Sequence, residues 1–97
     1  MKVEYSKRAT VDLRKVSADS RRQFGDRVAA EVEARIHKIV EQIRESPESA
    51  PQVVDRPGVN VVALVRYPYK LFYRILGDTV RILHIRNTSQ RPWRGKD

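Results

Sequence analysis

The chain contains no cysteine, which excludes disulfides and thiolate metal sites. It has only two histidines, His37 and His84, too few for an ordinary zinc site, and no cofactor is expected. No apolar run approaches the roughly 20 residues of a membrane span. No signal-peptide apolar segment follows Met1, so a soluble, cytoplasmic protein is expected. Internal repeats and low-complexity stretches are also missing. Negative charge is scarce: 12 Asp and Glu stand against 20 Lys and Arg, for a net charge of +8. Such a surplus attracts polyanions or acidic protein partners, or keeps a protein soluble. With 97 residues, 40% hydrophobic and 33% charged, the composition is that of one globular domain over 1–97, with a C-terminal tail from about 87 to 97.

The residues that are present alternate in readable ways. KVEY (2–5) reads as a short first strand, and Ser6 as the N-cap of a helix running to about Val16. Ala9, Leu13 and Val16 form its apolar stripe. SADS (17–20) is expected to break that helix, because Ser and Asp compete for backbone hydrogen bonds. A second helix is expected over about 20–44, where Phe24, Val28, Val32, Ile36, Ile39 and Ile43 recur every three or four residues. His37 falls beside that stripe and reads as solvated. Pro47 stops the helix, and the stretch through Gly58 has the composition of a loop.

Three strands then close the chain: VNVVALVR (59–66), KLFYRIL (70–76) and VRILHIR (80–86). Gly77-Asp78 is the turn of the last hairpin. The order β-α-α-β-β-β predicts an α+β fold, a helix hairpin packed on one face of a small, mainly antiparallel sheet. Pairing Leu76 with Thr79 sets Ile75 against Val80, Tyr73 against Ile82 and Leu71 against His84, on the face expected under the helices. The other face would carry Lys70, Arg74 and Arg81 with Phe72, Leu83 and Ile85 between them. Cations mixed with apolar residues suit an RNA backbone or a partner peptide, or else the rim of a covered face.

RYPYKLFYRILGDTVRILHIRNTSQRPW (66–93) resembles the C-terminal signature of the RelE/ParE superfamily of type II toxin–antitoxin toxins. It is most similar to the ParE-like and plasmid-stabilisation members, whose last hairpin typically reads YRIFYRV, GD, IxHIRHTSRRPW. The N-terminal Tyr5, Ser6, Ala9 and Leu13 fit as well, so the resemblance covers nearly the whole chain. It departs at Asn87 and Gln90, where the pattern has His and Arg. It departs again at Lys70, where ribosome-dependent RelE nucleases carry an arginine able to make a two-pronged phosphate contact.

The resemblance implies a toxin that binds DNA gyrase without catalysis, stabilises its cleaved-DNA complex and is neutralised by a cognate antitoxin. That antitoxin is expected to be acidic and partly disordered. Arg86, Arg91 and Trp93 would face the target, the residue types that dominate binding hot spots, although Pro92-Trp93 could equally staple the tail. The alternative is a RelE-like mRNA interferase acting on the ribosome through Lys70, His84, Arg86 and Arg91. Such cleavage needs a base for the 2′-hydroxyl, cations for the phosphorane and an acid for the leaving oxygen. Arg74 and Arg81 add cations, and Glu48 or Asp55 could reach in from the loop. Asn87 and Gln90 cannot move protons, and Trp93 can only stack or pack. A third reading is a basic nucleic-acid-binding module without toxicity.

Overall fold

Ser6 starts the first helix as its sequence position predicts. Its hydroxyl accepts from the Ala9 amide at 3.0 Å, satisfying one of the amides a helix leaves orphaned at its N-terminus. The computed structural model describes residues 1–88. The elements are β1 (Lys2–Tyr5), α1 (Lys7–Phe24), α2 (Asp26–Glu45), β2 (Val59–Ala63), β3 (Tyr69–Leu76) and β4 (Thr79–Asn87). The order is the expected one, and the four strands form one sheet in the order β1-β4-β3-β2. β1 pairs with β4 in parallel, while β2–β3 and β3–β4 are antiparallel.

The expected helix break at 17–20 does not occur: α1 runs on to Phe24. The serines are used sideways. Ser17 donates to Glu33 on α2 at 2.6 Å, and Ser20, fully buried, lies 3.2 Å from the Tyr69 hydroxyl. Tertiary partners therefore override the local preference of serine for turns. The break falls instead at Gly25, whose φ of 90° and ψ of 173° only glycine adopts without strain. Nothing lies within 4 Å of a Cβ built there, so Gly25→Ala tests the backbone alone. It should lower stability by about 1–3 kcal/mol in thermal melts; an unchanged melting temperature would refute the strain argument.

α2 buries Ala29, Val32, Ile36, Ile39, Val40 and Ile43, and His37 is exposed, as the spacing predicts. Phe24 departs from the predicted stripe. Beyond the Gly25 break it sits 53% exposed at the end of α1. Under the helices lie Leu71, Tyr73, Val80 and Ile82, all fully buried, and Tyr73 donates its hydroxyl to the Pro47 carbonyl at 2.6 Å. That burial raises the Tyr73 phenol above its ordinary pKa.

β2 ends at Ala63, short of the expected 66. Pro68 confines Tyr67 to extended backbone, so the reversal is made by Arg66, at a φ of 77°. The open edge of β2 is covered by its own loop. Val53 donates to the Val59 carbonyl at 2.7 Å, and Val61 to that of Pro51 at 3.0 Å.

The hairpin turns at Gly77-Asp78 with Leu76 opposite Thr79 and Tyr73 opposite Ile82, as expected. Beyond that point the register shifts by one: Phe72 faces His84 and Leu71 faces Ile85, leaving Leu83 as the extra residue of a bulge. A one-residue shift exchanges the faces of a strand. Ile85, expected on the open face, therefore joins the main core, and His84, expected under the helices against Leu71, moves to the opposite face. The exchange is favourable because it buries an isoleucine instead of an imidazole against the helices. On that opposite face Val59, Phe72 and Leu83 make a second small core beneath Val53. The apolar part of that face is thus covered.

Candidate functional site

β1 stops at Tyr5, but β4 continues five residues beyond its partner Ile82. The uncovered edge is completed by side chains from the start of α1. Ser6 donates its amide to the Ile82 carbonyl and its hydroxyl to the Leu83 carbonyl, each at 2.9 Å. Asp12 follows: its Oδ2 accepts from the Ile85 amide at 3.0 Å and meets His84 Nδ1 at 2.5 Å. The His84 ring also stacks on Phe72, with centroids 6.0 Å apart and planes 18° from parallel. His84 is only 6% exposed.

Asp12 escaped the sequence reading, although a signal for it exists. At three residues from Ala9 and four from Val16, it is a carboxylate placed on the apolar stripe of α1. A polar residue on such a stripe asks for a buried partner, and here the partner lies on the bulged strand.

The strand pairing of β3 with β4 sets cations opposite one another. Lys70 stands directly across from Arg86, and Arg74 directly across from Arg81. Like charges opposite each other destabilise a sheet, so the cost must be offset. Glu4 on β1 does so for Arg81, which donates to it at 2.8 Å. Arg74 is half-buried, and its Nε has no hydrogen-bond partner among the described residues. Lys70 is exposed, and it borders an apolar groove of about 420 Å³ between α2 and β2, lined by Ile39, Ile43, Pro51 and Val62. Arg86 is half-buried near the end of β4. Arg91 and Trp93, the other expected target-facing residues, lie outside the described residues, as does Gln90.

Chemically, this face offers positive charge. Its one imidazole is buried and held by a carboxylate that also caps the strand edge, so it does not open to solvent as a general base would. Among the described residues no cluster of three or more His, Cys, Asp or Glu could hold a metal ion. None of the helices described is long and apolar enough to cross a membrane.

The family model for the ParE toxin of type II toxin–antitoxin systems matches residues 3–92. The chain belongs to the ParE toxin family. Solved structures share the fold of this ParE-family toxin. A chain of the chromosomal ParDE toxin–antitoxin system from P. aeruginosa superposes with a TM-score of 0.79 at 23% identity, over 90% of this chain and 95% of that one. A chain of the intact E. coli RelBE toxin–antitoxin complex gives 0.69 at 18% identity, covering 93% and 98%. The isolated E. coli RelE toxin gives 0.68 at 17% identity, covering 93% and 86%. Identities this low speak for the fold alone. A search of curated proteins finds no match.

Proposed function

We propose that this ParE-family toxin acts in the cytoplasm without catalysis, by docking on DNA gyrase and stabilising its cleaved-DNA complex. A cognate antitoxin, acidic and partly disordered until bound, neutralises it. The observation that carries the non-catalytic reading is the buried Asp12–His84 pair at 2.5 Å. An interferase needs an accessible proton-transfer group beside its cations. The only imidazole of the sheet is instead packed on Phe72 and used to hold β4 to α1. Membership in the ParE family supports gyrase as the target, and the +8 charge supports an acidic antitoxin.

Induced expression tests the reading. Gyrase poisoning should give an SOS response with intact transcripts, and purified toxin should inhibit supercoiling. Cut transcripts without SOS induction would instead establish the interferase, and normal growth would remove both. At the level of residues, Trp93→Ala should weaken gyrase binding by about 2 kcal/mol or more, the scale of a hot spot, or about 30-fold. Pro92 restricts the backbone beside Trp93 and Arg91, which lowers the entropic cost of presenting them. Toxicity should fall with it, whereas folded His84→Gln stays toxic. The reverse order in growth assays would overturn docking through the tail.

A further inference from the structure

Three cations converge on a cleft of about 330 Å³ on the helix side of the sheet. Arg35 and Lys38 stand one turn apart on α2, and Arg66 enters from the turn between β2 and β3. Glu31, Ala34 and Tyr67 complete the lining. Some exposed cations of the helices have found acids: Arg21 pairs with Asp26, Arg22 with Asp19 and Arg44 with Glu41. Among the described residues, Arg35, Lys38 and Arg66 make no ion pair.

The sequence supplies acids at the right spacing, but the structure turns them away. Glu31, four residues before Arg35, is its natural helical partner. Its Oε2 instead accepts from the Tyr67 hydroxyl at 2.9 Å, and its Oε1 lies 3.5 Å from Arg27. The Tyr67–Glu31 bond raises the phenol above its ordinary pKa and ties the turn to α2. Glu41, three residues beyond Lys38, faces Arg44 at 3.4 Å.

Arg66 adds an independent sign. Its φ of 77° lies in the region that glycine enters freely and residues with a Cβ enter at a cost. Pro68 explains why the reversal falls at position 66, but not why an arginine makes it. The left-handed arginine thus lines the same cleft as two cations that lack acids of their own.

We propose that this cleft anchors the antitoxin, taking carboxylates of its acidic segment between Arg35 and Lys38 on one wall and Arg66 on the other. The proposal rests on the toxin–antitoxin reading above. Long side chains on two walls, one turn apart on α2, match carboxylates spaced three or four residues on a facing helical segment. The wall on α2 is mid-helix, so it offers no free amides of the kind that cradle a phosphate at a helix N-terminus. Neutralisation is thereby anchored on α2 and the β2–β3 turn, whose Pro68 carbonyl accepts from the Thr88 amide just past β4 at 2.7 Å.

The test uses the product of the neighbouring gene that rescues growth as the antitoxin, with affinities measured by calorimetry on the full-length toxin. The double reversal Arg35→Glu/Lys38→Glu should weaken antitoxin binding at least 100-fold and abolish rescue, while inhibition of purified gyrase by the free toxin is unchanged. Arg66→Gly relieves the backbone, so its melting temperature should hold or rise while affinity falls about tenfold. Affinity within twofold of wild type in both variants would overturn the anchor. A wild-type toxin that binds the antitoxin through this cleft but leaves gyrase active would keep the anchor and remove the gyrase target. A toxin that binds no antitoxin would remove the anchor and the antitoxin reading it rests on, and would leave the gyrase target to the supercoiling assay.

Discussion

Ile36→Asp should leave the protein unfolded or aggregated at 25 °C. Ile36 is buried near the middle of α2, among Val32, Ile39 and Val40 in the main core. Replacing it removes about 2 kcal/mol or more of apolar burial and puts a carboxylate among the apolar side chains of the core. The combined penalty, on the order of 5 kcal/mol, matches the whole stability of many domains of this size. His37→Ala, one residue along and exposed, should melt within about 1 °C of wild type, since it removes no buried contact. Circular dichroism melts of the two variants make the comparison. Equal melting temperatures would mean that α2 does not pack through the Ile36 face.

The second large effect belongs to Asp12. One carboxylate oxygen serves both the Ile85 amide and the His84 ring, so Asp12→Ala leaves two buried polar groups without their acceptor. Each orphan costs about 1–3 kcal/mol, which puts the variant about 3 kcal/mol below wild type. For a domain of this size that is a fall in melting temperature of about 15 °C. Asp12→Asn keeps an acceptor oxygen and should lose about 1 kcal/mol. Urea titrations at neutral pH would rank the three proteins. If Asp12→Ala unfolds within about 0.5 kcal/mol of wild type, the carboxylate is not what closes the edge of β4.

What could be read in advance divides along physical lines. Contacts set by local period were legible: the stripe of α2, the Gly77-Asp78 turn, the hairpin register from Leu76 to Tyr73, and the element order. What failed depended on a partner distant in sequence. The end of α1 turned on Ser20 finding Tyr69, 49 residues away, and Asp12 found its partners 72 and 73 residues away. The bulge lies between these cases. Ile82 and Leu83 are adjacent apolar residues, and Ile85 then resumes the alternation one position late, which is a local sign of an inserted residue. Without that sign His84 falls on the wrong face, and with it goes the judgement of whether an imidazole is available for chemistry. The cleft at Arg35, Lys38 and Arg66 was illegible for the same reason as Asp12. On the helix alone Glu31 belongs to Arg35, and only Tyr67, 36 residues later, takes it away.

The parallel pairing of β1 with β4 gives the chain an order in time. Ser6 docks on Leu83, 77 positions downstream, so the first strand and the foot of the first helix have no lasting partner until the last strand has been made. At about 5–20 residues per second of synthesis, that interval is roughly 4–15 seconds. Throughout it β1 is an unpaired edge, and the apolar stripe of α1 lacks the strand it will lie on. A partner that recognises the helix hairpin can engage the nascent chain in that window, before the sheet has closed.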